Sequence, residues 1–463
     1  MQLSKYFKYF IQAVKGEQHD FVSGSINKAI FMLSIPMILE MVMESLFAVV
    51  DIYFVGKVSV NAVATVALTE SVIMIVYALA IGLSMAATAV VARRIGEKQP
   101  EKAATAGVQA IIITVAVSLI FSIVGLLFAK DILFLMGGEQ DLIEEGYKYT
   151  MVMLGGNFTV MLLFLINAIF RGAGDASIAM RVLWIANGLN ILLDPIFIFG
   201  LGPIPAFGVE GAAIATNIGR GTGVVIQLFA LFGTASVIKV TVANLKVKWD
   251  IIWNIIKISV GGIGQYMIGT LSWLFMVRIS AVFGSEVLAG YAIAFRIIMF
   301  TILPSWGLSN AAATLVGQNL GAGFPDRAEQ SVWKSALFNM IFLFGLSLIF
   351  GIWAEFFVKL FASEPEVVKY GALALRVICC GYIFFAYGMV IGQSFNGAGD
   401  TKTPTIINFF CFWMFEVPLA WFLSRTFELG PLGIFLSIAI ASSLYAIVSI
   451  VIFRQGKWKT VEV

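Results

Sequence analysis

Long apolar runs separated by short polar connections make up almost the whole of this chain. Twelve runs reach about twenty residues or more, the length that an α-helix needs to cross a bilayer. We therefore predict an all-α polytopic membrane protein with twelve transmembrane helices. The predicted spans are 30–56, 62–92, 104–129, 147–170, 177–201, 209–233, 251–283, 286–320, 331–357, 366–395, 403–424 and 431–453.

The chain also contains an internal repeat. Gly82 and Gly307 each begin a Gly-Leu-Ser motif, and the Gly-Ala-Gly-Asp motif ending at Asp175 recurs at Asp400; both pairs are 225 residues apart. Because the offset spans six predicted helices, both copies have the same orientation, which makes the repeat parallel. We predict two six-helix lobes with the substrate between them. The predicted division is an N-terminal tail or interfacial helix at 1–28, an N-lobe at 29–233, a linker at 234–250, a C-lobe at 251–453 and a tail at 454–463.

The distribution of basic residues predicts the orientation. Twenty lysines and arginines fall at one set of helix ends and six at the other. Positive charge is retained on the cytoplasmic side, so both termini are predicted to be cytoplasmic, in the inner (plasma) membrane of a bacterium.

Composition agrees with a membrane protein and excludes several functions. The 463 residues are 60% hydrophobic and 12% charged, with a mean hydropathy of +0.95, whereas soluble domains carry about 25% charged residues. A net charge of +3 gives no reason to expect a nucleic-acid partner. The single histidine, His19, lies in the polar N-terminal tail, and the three cysteines form no metal or disulfide framework. We expect a monomer surrounded by membrane lipid, without enzymatic activity and without a cofactor.

The first span carries three carboxylates on one stripe. Glu40, Glu44 and Asp51 lie within about 40° of one another on a helix. A carboxylate that faces lipid costs a few kcal/mol, so this stripe is expected to face protein or water. Glu40 and Glu44 could contact a cationic substrate, extend an ion path toward the cytoplasm, or pair with a basic residue for assembly. Glu70 in the second span is equally ambiguous.

The fifth span holds a second polar face. Asn187, Asn190 and Asp194 share one side of the helix, and Pro195 follows directly. Asp51 and Asp194 are at similar depths, so they could share a proton or coordinate Na⁺ together with amide oxygens such as that of Asn190. Polar contacts that merely join neighbouring helices are the structural alternative.

The C-lobe differs in its buried charges. Its first span has Gln265 but no carboxylate in its interior, and Glu416 is the one deep acid of this half. Both residues are candidates for a substrate or ion path, as is Asn187. Pairing of Glu416 with one of the arginines in apolar segments is the interpretation we favour. Those arginines are Arg278, Arg296 and Arg376.

The repeated Gly-Ala-Gly-Asp motif allows a rival interpretation. It resembles the catalytic Gly-x-Gly-Asp of intramembrane aspartyl proteases, which need two aspartates that share a proton. Both copies lie at predicted cytoplasmic turns, where a glycine-rich turn that ends in a helix-capping aspartate is the simpler explanation.

Several motifs together resemble the multidrug and toxic compound extrusion (MATE) family over essentially the whole chain. They are Val-Val-Asp51-Ile-Tyr-Phe-Val-Gly, Phe-Arg-Gly-Ala-Gly-Asp175, Asn190-x-x-x-Asp194-Pro, Gly208-Val-Glu-Gly-Ala-Ala-x-Ala-Thr216, Val316-Gly-Gln-Asn-Leu-Gly321 and Gly-Ala-Gly-Asp400-Thr-Lys-Thr-Pro404.

The resemblance implies secondary active export of cationic, amphipathic compounds in exchange for H⁺ or Na⁺ by alternating access. The N-lobe cation site of the family would fall on Asp51, Asn190 and Asp194, which would also be the ligands of a Na⁺ ion, with Asn167 and Thr216 as neighbours. The absence of an acid near Gln265 favours a DinF-like over a NorM-like branch. A lipid-linked saccharide flippase of the same superfamily is the alternative function.

Overall fold

Each of the twelve predicted spans corresponds to a helix, or to a run of short helices, in the computed structural model. The structure describes residues 2–17, 19–233 and 236–463, without the side chains of residues 2–6. In this part of the chain, eleven segments are long and apolar enough to cross a membrane, and a pair of helices bent by 58° around Gly381 makes the twelfth. The prediction of an all-α polytopic membrane protein is confirmed.

The N-terminal half consists of a short first helix and seven further helices that form six spans. They are α1 (Gln2–Lys15), α2 (Ile26–Val55), α3 (Val60–Gly96), α4 (Pro100–Leu135), α5 (Gln140–Gly155), α6 (Asn157–Ala173), α7 (Ala176–Phe199) and α8 (Val209–Phe232). Helices α5 and α6 meet at Gly156 and make up one span.

The C-terminal half repeats this arrangement with more irregular helices. Its elements are α9 (Trp249–Ala281), α10 (Ser285–Gly321), α11 (Pro325–Lys359), α12 (Pro365–Cys380), α13 (Tyr382–Gly397), α14 (Lys402–Asn408), a π-helical segment (Phe409–Glu416), α15 (Val417–Trp421), a second π-helical segment (Phe422–Thr426) and α16 (Pro431–Arg454). The π-helical segments widen the eleventh span, a distortion often found where a helix serves a function.

The two halves meet through contacts that obey a two-fold relation. A Cβ atom at Gly96 of α3 would overlap the carbonyl oxygen of Gln318 of α10, and a Cβ atom at Gly321 of α10 would overlap the carbonyl oxygen of Arg93 of α3. Residues 93 and 96 are each 225 positions before 318 and 321. The contact is therefore self-complementary, as in a two-fold symmetric dimer interface.

The same relation holds nearer the middle of the bundle. A Cβ atom at Gly307 of α10 would lie 2.6 Å from the carbonyl oxygen of Met37 of α2, and one at Gly262 of α9 would lie 2.9 Å from Cα of Gly82 of α3. Positions 37 and 82 are again 225 residues before 262 and 307. These paired contacts confirm the parallel repeat.

Contacts between the lobes concentrate at one end of the bundle. We call this the terminal end; it holds the start of α2, the last turns of α3 and α10, and the C-terminal tail. In the described residues, the inter-lobe hydrogen bonds lie here, including Thr314 to the carbonyl oxygen of Arg171 (3.2 Å) and Gln318 to that of Gly172 (3.0 Å). We call the opposite end, where α3 and α10 begin, the far end.

At the terminal end, three segments are more ordered than the tail, linker and lobe boundaries predicted from the sequence. Helix α2 begins at Ile26, before the predicted start of the N-lobe. The inter-lobe connection packs on the N-lobe, where Gln109 donates to the carbonyl oxygen of Lys246 and accepts from the backbone N–H of Lys248. Because the first turns of α9 also contribute to the N-lobe core, through Ile252 for example, the hydrophobic boundary between the lobes falls inside α9.

The C-terminal tail bridges the two lobes. Lys459 forms an ion pair with Glu329 of α11 at 2.6 Å, and this hydrogen bond raises the pKa of Lys459. Arg93 of α3 donates to the carbonyl oxygens of Val461 and Ala398 at 3.0 and 3.1 Å. The tail thus contributes to the contact that closes the terminal end.

We predict that Gly96→Ala opens the terminal end. Overpacking a close contact costs about 1–3 kcal/mol, which would favour the conformation with separated lobes by roughly tenfold or more. A cysteine introduced as Thr314→Cys, in a chain whose three native cysteines are replaced by alanine, should react faster with a maleimide when Gly96→Ala is also present.

Gly345→Ala is the matched control for this experiment. It also adds one methyl group to a helical glycine, but no atom lies within 4 Å of the added carbon. An unchanged labelling rate in the Gly96→Ala chain would contradict the assigned contact.

Candidate ion and substrate site

Glycines on one face of α8 bring this helix against α7. A Cβ atom at Gly219 would lie 2.6 Å from the carbonyl oxygen of Ala186, and the spacing of four to Gly223 repeats the contact one turn later. The close crossing places Thr216 beside Asn190, whose amide donates to the threonine hydroxyl at 3.0 Å. Two of the predicted neighbours in the cation site are thus in contact.

Asp194 lies one turn further along α7 and is completely buried. Both of its carboxylate oxygens, and the amide oxygen of Asn190, lack a hydrogen-bond partner in the described part of the chain. Pro195 supplies no backbone N–H, so the helix has one hydrogen bond fewer at this position. Asp51 of α2 is close enough to interact electrostatically with Asp194.

This group of oxygens is suited to an exchangeable cation. A buried carboxylate without a partner is costly, so it binds either a proton or a cation. Na⁺ is a hard cation that takes oxygen ligands such as those of Asp194 and Asn190.

Glu40 lies in a different network, nearer the terminal end. Its side chain is buried, and Oε1 accepts hydrogen bonds from Arg171 at 2.6 Å and from Asn167 at 3.0 Å. Asn167 in turn accepts from Gln227 at 2.7 Å. The structure therefore places Asn167 with Glu40 and Arg171. Among the described residues, Asn167 makes no hydrogen bond to the predicted cation ligands Asp51, Asn190 and Asp194.

Glu44 is also paired with an arginine. Arg220 of α8 donates to Oε1 at 3.1 Å, and Asn187 donates to Oε2 at 2.9 Å. The Arg220 guanidinium also stacks over the rings of Phe47 and Phe164, at 5.2 and 5.6 Å. These contacts favour the assembly interpretation of both glutamates over a free ion path.

Sequence reasoning did not single out Arg220, although the signal was available. An arginine in the middle of the apolar span 209–233 is costly unless an acid compensates it. Its position four residues after Thr216 places both on the same face of α8. This face is the one that meets the acidic stripe of α2.

Glu70 lies on the surface of α3, in the half toward the far end. It is exposed, and its charged neighbours include Asp51 of α2 and Arg296 of α10, which is exposed as well. Asp51 belongs to the N-lobe and Arg296 to the C-lobe, so Glu70 has a charged neighbour in each lobe.

The C-lobe contains a neutral counterpart of the Glu40 pair. Gln265 and Asn396 exchange two amide hydrogen bonds, of 2.9 and 3.1 Å. They are 225 residues after Glu40 and Arg171, respectively. An amide pair thus replaces the ion pair at the equivalent position, which explains why no acid is present near Gln265.

A cavity of 640 Å³ opens above this amide pair, toward the far end. Most of its wall comes from the C-lobe, and Met74, Ile81 and Met85 of α3 close it on the N-lobe side. Its volume lies in the range typical of small-molecule sites, about 300–1,000 Å³. Glu416 lies in the wall and is 5% exposed.

The predicted pairing of Glu416 with an arginine is wrong for the described residues. No basic nitrogen lies within 4.0 Å of its carboxylate; Arg376 pairs instead with Glu355 at 3.4 Å, and Arg278 and Arg296 are exposed. None of the three arginines is among the residues that line the cavity in which Glu416 lies.

The two Gly-Ala-Gly-Asp motifs form tight turns. Gly174 and Gly399 have φ of +92° and +89°, which glycine adopts without strain. Asp175 accepts hydrogen bonds from Ser236 and from the backbone N–H of Val237, while Asp400 accepts from the backbone N–H of Thr403. Asp175 therefore anchors the inter-lobe connection and makes no side-chain cap on α7, contrary to prediction. Burial raises the pKa of Asp175.

Twelve spans in two parallel lobes, with buried carboxylates and a cavity to whose wall both lobes contribute, are typical of a membrane transporter. Residues 36–196 and 258–422 match the model of the MatE family, one match in each lobe. The chain belongs to the MatE family, as its motifs predicted. The branch within the family stays a prediction.

Relatives and solved structures agree with this assignment. The chain is 26% identical over 434 residues to the probable multidrug resistance protein NorM of Thermotoga maritima, covering 94% of this chain and 93% of that protein. It is 24% identical over 443 residues to the multidrug export protein MepA of Staphylococcus aureus, covering 95% and 96%. It is similar to a structure of an outward-facing multidrug resistance MATE transporter, with 26% identity, coverage of 94% and 96%, and a TM-score of 0.88.

We predict that Arg171→Met strongly destabilises the protein because it leaves Glu40 buried without its partner, at a cost of about 3–5 kcal/mol. The double variant Glu40→Gln/Arg171→Asn copies the amide pair of the C-lobe and should recover most of the loss. Denaturant unfolding in detergent micelles measures both effects.

Glu144→Gln provides the control, since it breaks the exposed pair between Lys130 and Glu144 and should leave unfolding unchanged. A double variant as unstable as Arg171→Met would show that Glu40 and Arg171 do not act as an isolated pair.

Proposed function

We propose that this protein is a secondary active exporter of cationic amphipathic compounds, driven by entry of H⁺ or Na⁺. The observation that carries the proposal is Asp194, a buried carboxylate whose two oxygens lack partners beside the likewise unpartnered amide oxygen of Asn190. Such a group needs a positive charge that can arrive and leave. A transporter that exchanges a cation for its substrate has that requirement.

Helix α2 is suited to transmit the binding of this ion. It packs against α7, which holds Asp194, and against α10 of the other lobe. Trp184 of α7 donates to the carbonyl oxygen of Leu39 at 3.0 Å, and Met37 approaches Gly307 of α10. A change of charge between Asp51 and Asp194 would alter the packing of α2 on α7 and, through α10, the balance between lobe arrangements. The helix is continuous through Pro36.

The arrangement of the lobes corresponds to one state of an alternating-access cycle. Contacts between lobes lie at the terminal end, and the cavity lies toward the far end. With cytoplasmic termini, as the basic residues predict, this state is closed to the cytoplasm and faces outward. The similar solved transporter is described as outward-facing.

The residues that line the cavity favour an organic cation as substrate over the lipid-linked saccharide of a flippase. A lipid-linked pyrophosphate would require basic groups, but no lysine or arginine is among the described residues that line the cavity. The names of the NorM and MepA relatives refer to multidrug resistance and export. An enzymatic role has less support, since the family consists of transporters and the two Gly-Ala-Gly-Asp aspartates bond to separate turns.

We predict that Asp194→Asn and Asp51→Asn each abolish uphill export because neither variant can exchange a positive charge at the site. Purified protein in liposomes would be given a pH gradient and a Na⁺ gradient in separate experiments, with ethidium movement followed by fluorescence. The gradient that drives wild-type export identifies the coupling ion.

Asp131→Asn, an exposed aspartate outside the site, is the control and should export like wild type. Uphill export by Asp194→Asn at the wild-type rate would exclude the proposed coupling mechanism.

A further inference from the structure

Glu416 is the buried acid that the N-lobe mechanism does not use. The N-lobe glutamates Glu40 and Glu44 each have an arginine partner, at 2.6 and 3.1 Å. Glu416 has no such partner among the described residues, although it is as deeply buried in an apolar environment. An unpaired ionisable residue inside a membrane protein is energetically costly, so its presence indicates that it binds a proton, an ion or a ligand.

The local backbone presents Glu416 to the cavity. It is the last residue of the π-helical segment Phe409–Glu416, and Pro418, two residues later, has no N–H to donate. The wider helix is held by side chains of α9: Ser272 donates to the carbonyl oxygen of Phe412 at 3.0 Å. The distortion is therefore supported by specific contacts, and it lies at the cavity wall.

The other residues of the wall are suited to a large apolar cation. Trp273 stacks on Phe295 with ring centroids 5.2 Å apart, and Tyr291 stacks on Phe435 at 6.0 Å. Aromatic faces attract cations, most strongly where water is excluded. Several methionines line the same wall and can adapt to irregular ligands. They are Met74, Met85, Met276, Met299 and Met389.

We propose that this cavity binds a lipophilic organic monocation, with Glu416 as its counter-charge and the aromatic rings as its contact surface. The proposal rests on the proposed function, because it names the place in the C-lobe where an exported cation is held. A metal ion does not fit, since Glu416 is the one acid among the lining residues of this largely apolar wall. An anion would meet the charge of Glu416 with no compensating base.

The cavity wall also explains how the bound cation would follow the transport cycle. Met74, Ile81 and Met85 belong to α3 of the N-lobe, while Glu416 and the rings belong to the C-lobe. Because both lobes contribute, a rearrangement of the lobes changes the shape of the cavity. The cation is therefore bound in one arrangement and released in the other.

The test uses two probes of the same shape and opposite charge, tetraphenylphosphonium and tetraphenylborate. Equilibrium binding to purified full-length protein is measured for wild type, Glu416→Gln and Glu286→Gln. Glu286 is an exposed acid of the same lobe outside the cavity and serves as the matched control. We expect Glu416→Gln to raise the Kd of the cation at least tenfold while the Kd of the anion stays unchanged or falls.

Two results would overturn the proposal: a cation Kd within twofold of wild type in Glu416→Gln, or an equal loss of affinity for both probes, which would indicate structural damage. Glu416→Asp keeps the charge and should retain more cation affinity than Glu416→Gln.

Liposome export of tetraphenylphosphonium by wild type separates the two hypotheses. Gradient-driven export with unchanged binding in Glu416→Gln would contradict only this site. Charge-selective binding that depends on Glu416, without gradient-driven export, would contradict only the proposed function.

Discussion

The cost of placing a carboxylate inside a bilayer determines how the interior of this protein is arranged. A buried acid needs a proton, a bound cation or a basic partner, and the buried acids of this chain differ in whether the chain itself supplies a base. Glu40 and Glu44 each have an arginine partner, at 2.6 and 3.1 Å. Asp194 has no hydrogen-bond partner among the described residues, and in the mechanism we propose an ion that exchanges with solvent takes that place. The two ion pairs join α2 to α6 and α8 within the N-lobe, close to the proposed ion site.

The duplication shows which of these charges are needed for the fold. At the positions equivalent to Glu40 and Arg171, the C-lobe has Gln265 and Asn396, joined by hydrogen bonds in the same place. Both halves thus have a side-chain contact between the first span and the residue just before the Gly-Ala-Gly-Asp motif. In the N-lobe the contact is an ion pair, and in the C-lobe it is a pair of neutral amides. The two lobes therefore share a framework and differ in their ionisable chemistry.

Patterns local to the chain predicted the fold well. Apolar run length gave the spans, because each must satisfy the same bilayer thickness, and a constant offset gave the parallel repeat. Helical spacing also placed Asn190 and Asp194 on one face. Contacts between distant helices were harder to foresee. Arg220 reaches Glu44 across 176 residues of sequence, and the cavity around Glu416 depends on how the lobes pack. No periodicity within a single helix encodes these distances.

The glycine crossing of α3 and α10 has a further consequence. Its two contacts are related by two-fold symmetry: Gly96 contacts Gln318, and Gly321 contacts Arg93. Both contacts therefore loosen together when the lobes separate. A rotation about the shared two-fold axis displaces both lobes by equal amounts, so neither lobe stays fixed while the other moves. The free-energy cost of separating the lobes at this end is then shared by two equivalent contacts. A substitution at one of the two contacts, although far from the proposed ion site, should therefore alter the rate of transport.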